Sequence, residues 1–296
     1  MKAKRKIFIA FILNLFFSIF EFFGGIITGS IAIASDAIHD FGDATSIGIA
    51  YFLEKVSDKK PNKAYTYGYA RFSVLGGLIT TLILLVSSGI VIYNAILRII
   101  YPIQIYYDGM LVFAVVGFVV NLTAGYFTHG GKSINQKAVN IHILEDALGW
   151  LFVIISAIII KFTNLYIIDP ISSIVVALFV IINCVKNLVE ILRIFLIKTP
   201  NDVNIDEIIN HVKQIDGVVD VHHLHVWTLD GEINCATLHL VVNSYNAEIK
   251  NMVKEELNEH GISHVTIEME SDMEECEEEN CNVKVRNSTC HHCHNH

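Results

Sequence analysis

The sequence predicts an α-helical membrane protein with six transmembrane helices, followed by a small α+β domain of the ferredoxin-like kind. Three observations carry this. Of the 296 residues, 53% are hydrophobic and only 17% charged, a balance that favours a membrane protein over a soluble one. The apolar residues fall into six blocks in the first two thirds, each near the roughly 20 residues that span a bilayer. From about Pro200 the composition turns to that of a soluble domain. The expected organisation is a membrane domain over 1–198, a globular domain over 199–270 and an acidic Cys/His-rich tail over 271–296. The tail is expected to be disordered without metal.

The six apolar segments run about Ile7–Thr28, Ile31–Val56, Phe72–Ile99, Met110–Phe127, Ala138–Phe162 and Ile167–Leu188. The basic N-terminus is followed by an apolar run too long for a signal peptide, so it is read as a retained first helix. Lys2, Lys4, Arg5 and Lys6 precede that helix, Lys59, Lys60 and Lys63 lie in the second loop, and Lys132 and Lys137 in the fourth. The alternate loops are nearly free of positive charge, which places both termini in the cytoplasm. Gly24-Gly25 and Gly76-Gly77 suit close helix packing.

The soluble domain follows from its periodicities. Val203–Ile215 is an amphipathic helix stopped by Gly217. Val218–Leu229 and Ile233–Val242 are β-rich and joined by the turn signal Asp230-Gly231. Asn246–His260 is a helix closed by Gly261, and Ile262–Glu270 is a last strand. Helix, strand, strand, helix, strand gives a small sheet with helices on one face.

The formal net charge of −9 does not suggest nucleic-acid binding. The chemistry lies in ionisable residues inside apolar segments, which are costly there and usually functional. His39 and Asp43 are four residues apart in the second segment, and His142 and Asp146 repeat that spacing in the fifth. On helices each pair shares a face. Two imidazoles and two carboxylates make a four-ligand set for a tetrahedral divalent metal, zinc above all. Asp36 shares the face of His39 and Asp43, as an outer partner of the ligands or a point on the ion path. Asn14 and Glu21 share a face of the first helix, with Glu21 either turned into the bundle or near the outer interface. Asn121 in the fourth helix is read as bonding to a neighbouring helix, or as part of the ion path. The tail residues Cys276, Cys281, Cys290, His291, His292 and Cys293 are ligand types for zinc or copper rather than a disulfide framework.

At this point the sequence resembles the cation diffusion facilitator family, in its zinc-transporting branch. The match is carried by Ser35-Asp36-Ala37-x-His39-x-x-x-Asp43, His142-x-x-x-Asp146, Tyr67-Gly68-Tyr69-x-Arg71 and Asp169-Pro170. The run Val221-His222-His223-Leu224-His225-Val226-Trp227 adds to it. The resemblance spans about Asn14 to Glu270. It implies a homodimeric exporter, moving metal from the cytosol to the outside or to an organelle lumen in exchange for protons. It also implies zinc as the ion, with cadmium and cobalt tolerated, because histidine opens both intramembrane pairs. By resemblance, His222, His239 and Glu268 fall where relatives hold cytosolic metal, with His264 of the same strand parity as Glu268. Simple alternation places His222 and Leu224 on one face of their strand and His223, His225 and Trp227 on the other.

Two departures from the family stand out. The loop Lys60–Tyr69 has no histidine, so a further metal site that some relatives build there is not expected. The fourth-to-fifth loop holds only His129. No organic cofactor is implied. An enzyme is disfavoured: a metalloprotease would need His-Glu-x-x-His, where this chain has His142-Ile143-Leu144-Glu145-Asp146. A membrane-bound metal sensor, a passive metal channel, or the same transporter working on cadmium, cobalt, iron or manganese are the alternatives. The short loops and the lack of organellar signals point to a prokaryotic plasma membrane.

Overall fold

Long apolar runs with few helix breakers fold as helices, because in hydrocarbon every backbone N–H and C=O must be satisfied within the segment. The computed structural model describes residues 3–28, 31–101, 107–130, 133–163 and 167–271. Within these, the side chains of Asp36 and His39 lie outside what is described, as does the whole tail from residue 272. The chain divides into two compact units at Leu196/Ile197.

Among the described residues, the first unit holds six helices: α1 (Ala3–Thr28), α2 (Ile31–Ser57), α3 (Arg71–Ile100), α4 (Tyr107–Thr128), α5 (Ile134–Thr163) and α6 (Ile168–Phe195). Among the described residues, four stretches are long and apolar enough to cross a membrane: Ala3–Gly24, Arg71–Ile100, Ile134–Ile160 and Pro170–Phe195. In α4 the apolar stretch among described residues is the shorter Ala114–Thr128. The α2 helix falls short in apolarity because it carries Asp36, Asp40, Asp43, Glu54 and Lys55. Outward-facing residues are large and apolar, as Phe16, Val86, Tyr93 and Phe162 illustrate. The protein is therefore a multi-pass membrane protein.

Helix α1 packs on α2 and α4, α2 on α3, α3 on α5 and α6, and α4 on α5. Glycines permit the tight contacts. A Cβ on Gly77 would lie 2.9 Å from Ile134 Cγ2 and 3.2 Å from the Asn135 backbone nitrogen. A Cβ on Gly117 of α4 would lie 2.7 Å from the Trp150 ring of α5 and 2.8 Å from Phe17 of α1. Phe17 and Trp150 meet edge to face at 5.7 Å. Polar side chains bind the helices where packing is closest. The buried carboxylate of Glu54 accepts from Ser73 Oγ at 2.7 Å and Asn135 Nδ2 at 3.0 Å, which ties α2 to α3 and α5.

One end of the bundle gathers the basic residues. Lys4 pairs with Asp58 just past α2, and Lys6 donates to the carbonyl of His129 just past α4 at 2.7 Å. The α2–α3 connection is ordered by an Asn62 turn and by stacking of Tyr65, Tyr69 and Phe72. Gly68 sits in this turn at φ 80°, a conformation that favours glycine.

The second unit contains α7 (Ile205–Lys213), β1 (Val218–Thr228), β2 (Asn234–Val242), α8 (Ala247–Glu259) and β3 (Ile262–Ser271). The side chains of Asn204 and Asn246 cap the two helices. Strand β2 is central, antiparallel to β1 and parallel to β3. Ile208 and Val212 of α7 and Ile249, Val253 and Leu257 of α8 pack with Leu238 and Leu240 into one core on one sheet face.

The pairing of β1 with β2 slips between His222 and His225: His222 faces His239, and His225 faces Thr237. Three β1 steps therefore match two on β2, and His223 takes φ 50°. Such a bulge shifts the alternation by one. His223 is not turned away from His222 as plain alternation predicts. Its ring lies 5.2 Å from that of His222 and 4.8 Å from that of His239.

Candidate functional site

In the first unit, Asp43 of α2 and His142 and Asp146 of α5 bring three potential ligand atoms within 4.8 Å of one another. His142 Nε2 lies 3.7 Å from Asp43 Oδ1 and 3.8 Å from Asp146 Oδ2. Tetrahedral zinc ligands at about 2.0–2.1 Å stand roughly 3.3 Å apart, so a small inward adjustment closes the three atoms on one ion. The His142 side chain is 2% exposed, and neither ring nitrogen has a hydrogen-bond partner among the described residues. A buried polar group left in that state costs about 1–3 kcal/mol, and coordination of a cation relieves it. His39 lies one helical turn before Asp43 in α2, and its side chain is outside the described residues, as is that of Asp36.

Polar side chains surround this cluster. Asn14 of α1 is buried, and its amide donates to Asp146 Oδ2 at 3.5 Å. Glu21 is also buried against the rest of the bundle, at 1% exposure. Asn121 is buried and donates to the Gly117 carbonyl of its own helix at 3.2 Å. Glu145 projects toward α3, where Ser88 donates to it at 3.1 Å.

Residues 7–196 match the family model of the cation efflux transmembrane domain, and residues 200–272 match that of the cation efflux protein cytoplasmic domain. The chain belongs to the cation efflux family. This is the family, also called the cation diffusion facilitators, that its motifs resemble, and it is a transporter family rather than an enzyme family. Among its relatives is the cadmium, cobalt and zinc/H(+)-K(+) antiporter of Bacillus velezensis, 32% identical over 277 residues, covering 90% of this chain and 88% of the relative. The zinc transporter ZitB of Pectobacterium atrosepticum is 31% identical over 290 residues, covering 96% and 90%. The metal cation efflux system protein CzcD of Cupriavidus metallidurans is 32% identical over 276 residues, covering 90% and 86%.

The part of this cation efflux protein that matches the cytoplasmic domain holds a second cluster, on the sheet face opposite the helices. His222 of β1, His239 of β2 and Glu270 of β3 have potential ligand atoms within 4.8 Å of one another. His222 Nε2 is 3.2 Å from Glu270 Oε2, and His239 Nδ1 pairs with the other Glu270 oxygen. Glu268 stands at the rim, 3.4 Å from His239 Nε2 and largely exposed. His264 pairs across the sheet with Cys235, four positions along β3 from Glu268, and is exposed.

The carboxylate gathered with both imidazoles is thus Glu270. Sequence reasoning named Glu268 and missed Glu270, although the two-residue step along β3 puts both on one face. The tail residues Cys276, Cys281, Cys290, His291, His292 and Cys293 lie outside the described residues.

Proposed function

We propose that this protein is a zinc/proton antiporter that moves zinc out of the cytosol through a site formed by His39, Asp43, His142 and Asp146. The observation that carries the reading is the meeting of Asp43, His142 and Asp146 inside the bundle, with neither nitrogen of a buried imidazole hydrogen-bonded among the described residues. Two carboxylates neutralise the ion's charge, and two neutral imidazoles complete the shell that replaces its water. Protons compete with metal for the same nitrogens, because a ligating imidazole must be neutral. Arrival of protons from the far side then discharges zinc and returns the carrier protonated. Asn14 and Asp36 orient the ligands or line the ion path, together with Glu21 and Asn121.

The relatives' names support this choice of ion and of counter-ion. Cadmium and cobalt fit the same ligand set. Both termini face the cytosol, supported by the gathering of Lys4 and Lys6 with the α2–α3 and α4–α5 connections at one end. The match of residues 200–272 to the cytoplasmic domain model supports a homodimer through that domain. His222, His239 and Glu270, with Glu268 and His264 nearby, form a regulatory zinc site there. The domain boundaries near 198 and 270 and the metal-gathering role of the tail belong to the same reading, as does a prokaryotic plasma membrane.

Zinc flux into proteoliposomes under an imposed pH gradient tests the proposal. Flux should follow the gradient in the wild type and vanish in Asp43→Ala and in Asp146→Ala. Flux that persists in both variants places the metal elsewhere. Zinc flux indifferent to the gradient makes the protein a channel, and binding without flux makes it a sensor.

A further inference from the structure

A third group of metal-ligand side chains lies on the helical side of the second unit, away from the sheet-face cluster. His211 stands in the last turn of α7, Glu256 in the last turn of α8, and His260 caps α8 one turn later. His211 Nδ1 is 2.9 Å from Glu256 Oε1 and 3.0 Å from His260 Nε2, and His260 Nε2 is 3.3 Å from the same Glu256 oxygen. We propose that His211, Glu256 and His260 form a divalent-metal site that joins α7 to α8, distinct from both the transport site and the sheet-face cluster.

The argument is geometric. Ligands about 2.0–2.1 Å from a tetrahedral ion stand roughly 3.3 Å apart, and all three separations here lie at or just inside that edge. The three atoms come from two helices, yet they converge on one point. Two imidazole nitrogens at 3.0 Å repel unless a proton or a cation sits between them, since each neutral acceptor presents a lone pair to the other. A cation also satisfies the carboxylate oxygen that faces both.

The site is separate from the other cluster. Ile208, Val212, Val253 and Leu257 pack between these helices and the sheet, and His239 alternates with Leu238 and Leu240 onto the opposite face. The side chains of His211, Glu256 and His260 are 43%, 25% and 19% exposed. Solvent ions therefore reach the site, and water can fill the remaining positions. Two nitrogens and one oxygen, without thiolate, suit zinc, cobalt or nickel rather than calcium or copper(I). Glu256 and His260 are one turn apart on a single helix, so α7 supplies the one ligand that closes the ring. Metal occupancy would lock α7 against α8.

The test uses the full chain in detergent, with cobalt as the probe. Equilibrium dialysis should find one cobalt ion fewer per protomer in His211→Ala/His260→Ala than in the wild type. The wild-type-minus-variant spectrum should show visible d–d bands without a thiolate charge-transfer band, which excludes the tail cysteines as the source. Glu256→Gln keeps the size and a hydrogen-bonding group at that position. It should retain the wild-type circular dichroism and weaken cobalt binding at this site at least tenfold. Equal cobalt stoichiometry in the wild type and the double variant, or unchanged affinity in Glu256→Gln, would overturn the proposal. The three residues would then be a proton-sharing clasp between the helices.

Discussion

A two-residue step along β3 separates Glu268 from Glu270. Both project from the same sheet face, but Glu270 bridges His222 and His239, whereas Glu268 reaches only His239 from the rim. Zinc affinity of the extramembrane domain should therefore fall at least tenfold in Glu270→Gln and much less in Glu268→Gln. Calorimetric zinc titration of both variants in an Asp43→Ala background is the check, and the reverse ranking would assign the ligand to Glu268. A second residue-scale consequence concerns Asp220. Burial raises its pKa, but the Lys213 ammonium at 2.7 Å, the Val221 backbone N–H and His222 outweigh that, and the carboxyl is held below its usual value. A depressed folded pKa means the pair stabilises the fold above the ordinary aspartate range, about pH 4, and that this contribution is lost as pH falls through the lower folded value. Both partners are about half exposed, so the effect is a few tenths of a kcal/mol. A carboxyl chemical-shift titration should show the Asp220 midpoint rising in Lys213→Ala.

Elements carry the geometry of the proposed transport site through close approach. Asn14 and Phe17 of α1 lie one turn apart, as do Asp146 and Trp150 of α5. The Phe17–Trp150 contact over Gly117 thus fixes the same helix pair that the Asn14–Asp146 hydrogen bond joins. Any side chain at Gly117 meets the indole ring, and overpacking of this kind costs typically about 1–3 kcal/mol. Gly117→Val should lower thermal stability in detergent and reduce zinc flux, while Gly89→Ala, whose Cβ meets open space, should do neither. The helices themselves were legible from the sequence because hydrocarbon demands apolar runs, and the spacing of His142 and Asp146 puts both on one face of α5. What was not legible depends on contacts between elements. The reach of Asn14 to Asp146 needs the α1–α5 packing. The gathering of His222, His223 and His239 needs a bulge that strand alternation hides. The triad of His211, Glu256 and His260 needs two helices brought side by side so that His211 meets Glu256, 45 residues on in sequence.

For the whole molecule, the question is whether metal at the proposed sheet-face site of the second unit governs transport by the first. Thermodynamic linkage requires that, if zinc on the sheet face changes the affinity of the membrane site, the membrane site changes the sheet-face affinity by the same factor. Couplings of this kind typically amount to about 5–150-fold. His222→Ala/His239→Ala removes two of the three sheet-face ligands and leaves Asp43, His142 and Asp146 untouched. The expected outcome is that the zinc concentration for half-maximal flux rises about fivefold or more, while the rate at saturating zinc stays near that of the wild type, because the membrane ligands are intact. Asp43→Ala should in turn shift zinc affinity at the sheet face by a comparable factor. A flux curve that superimposes on the wild type would make the sheet-face cluster a storage or assembly site without influence on the carrier. A lost saturating rate at normal half-maximal zinc would instead place the soluble unit's metal in the transport cycle itself.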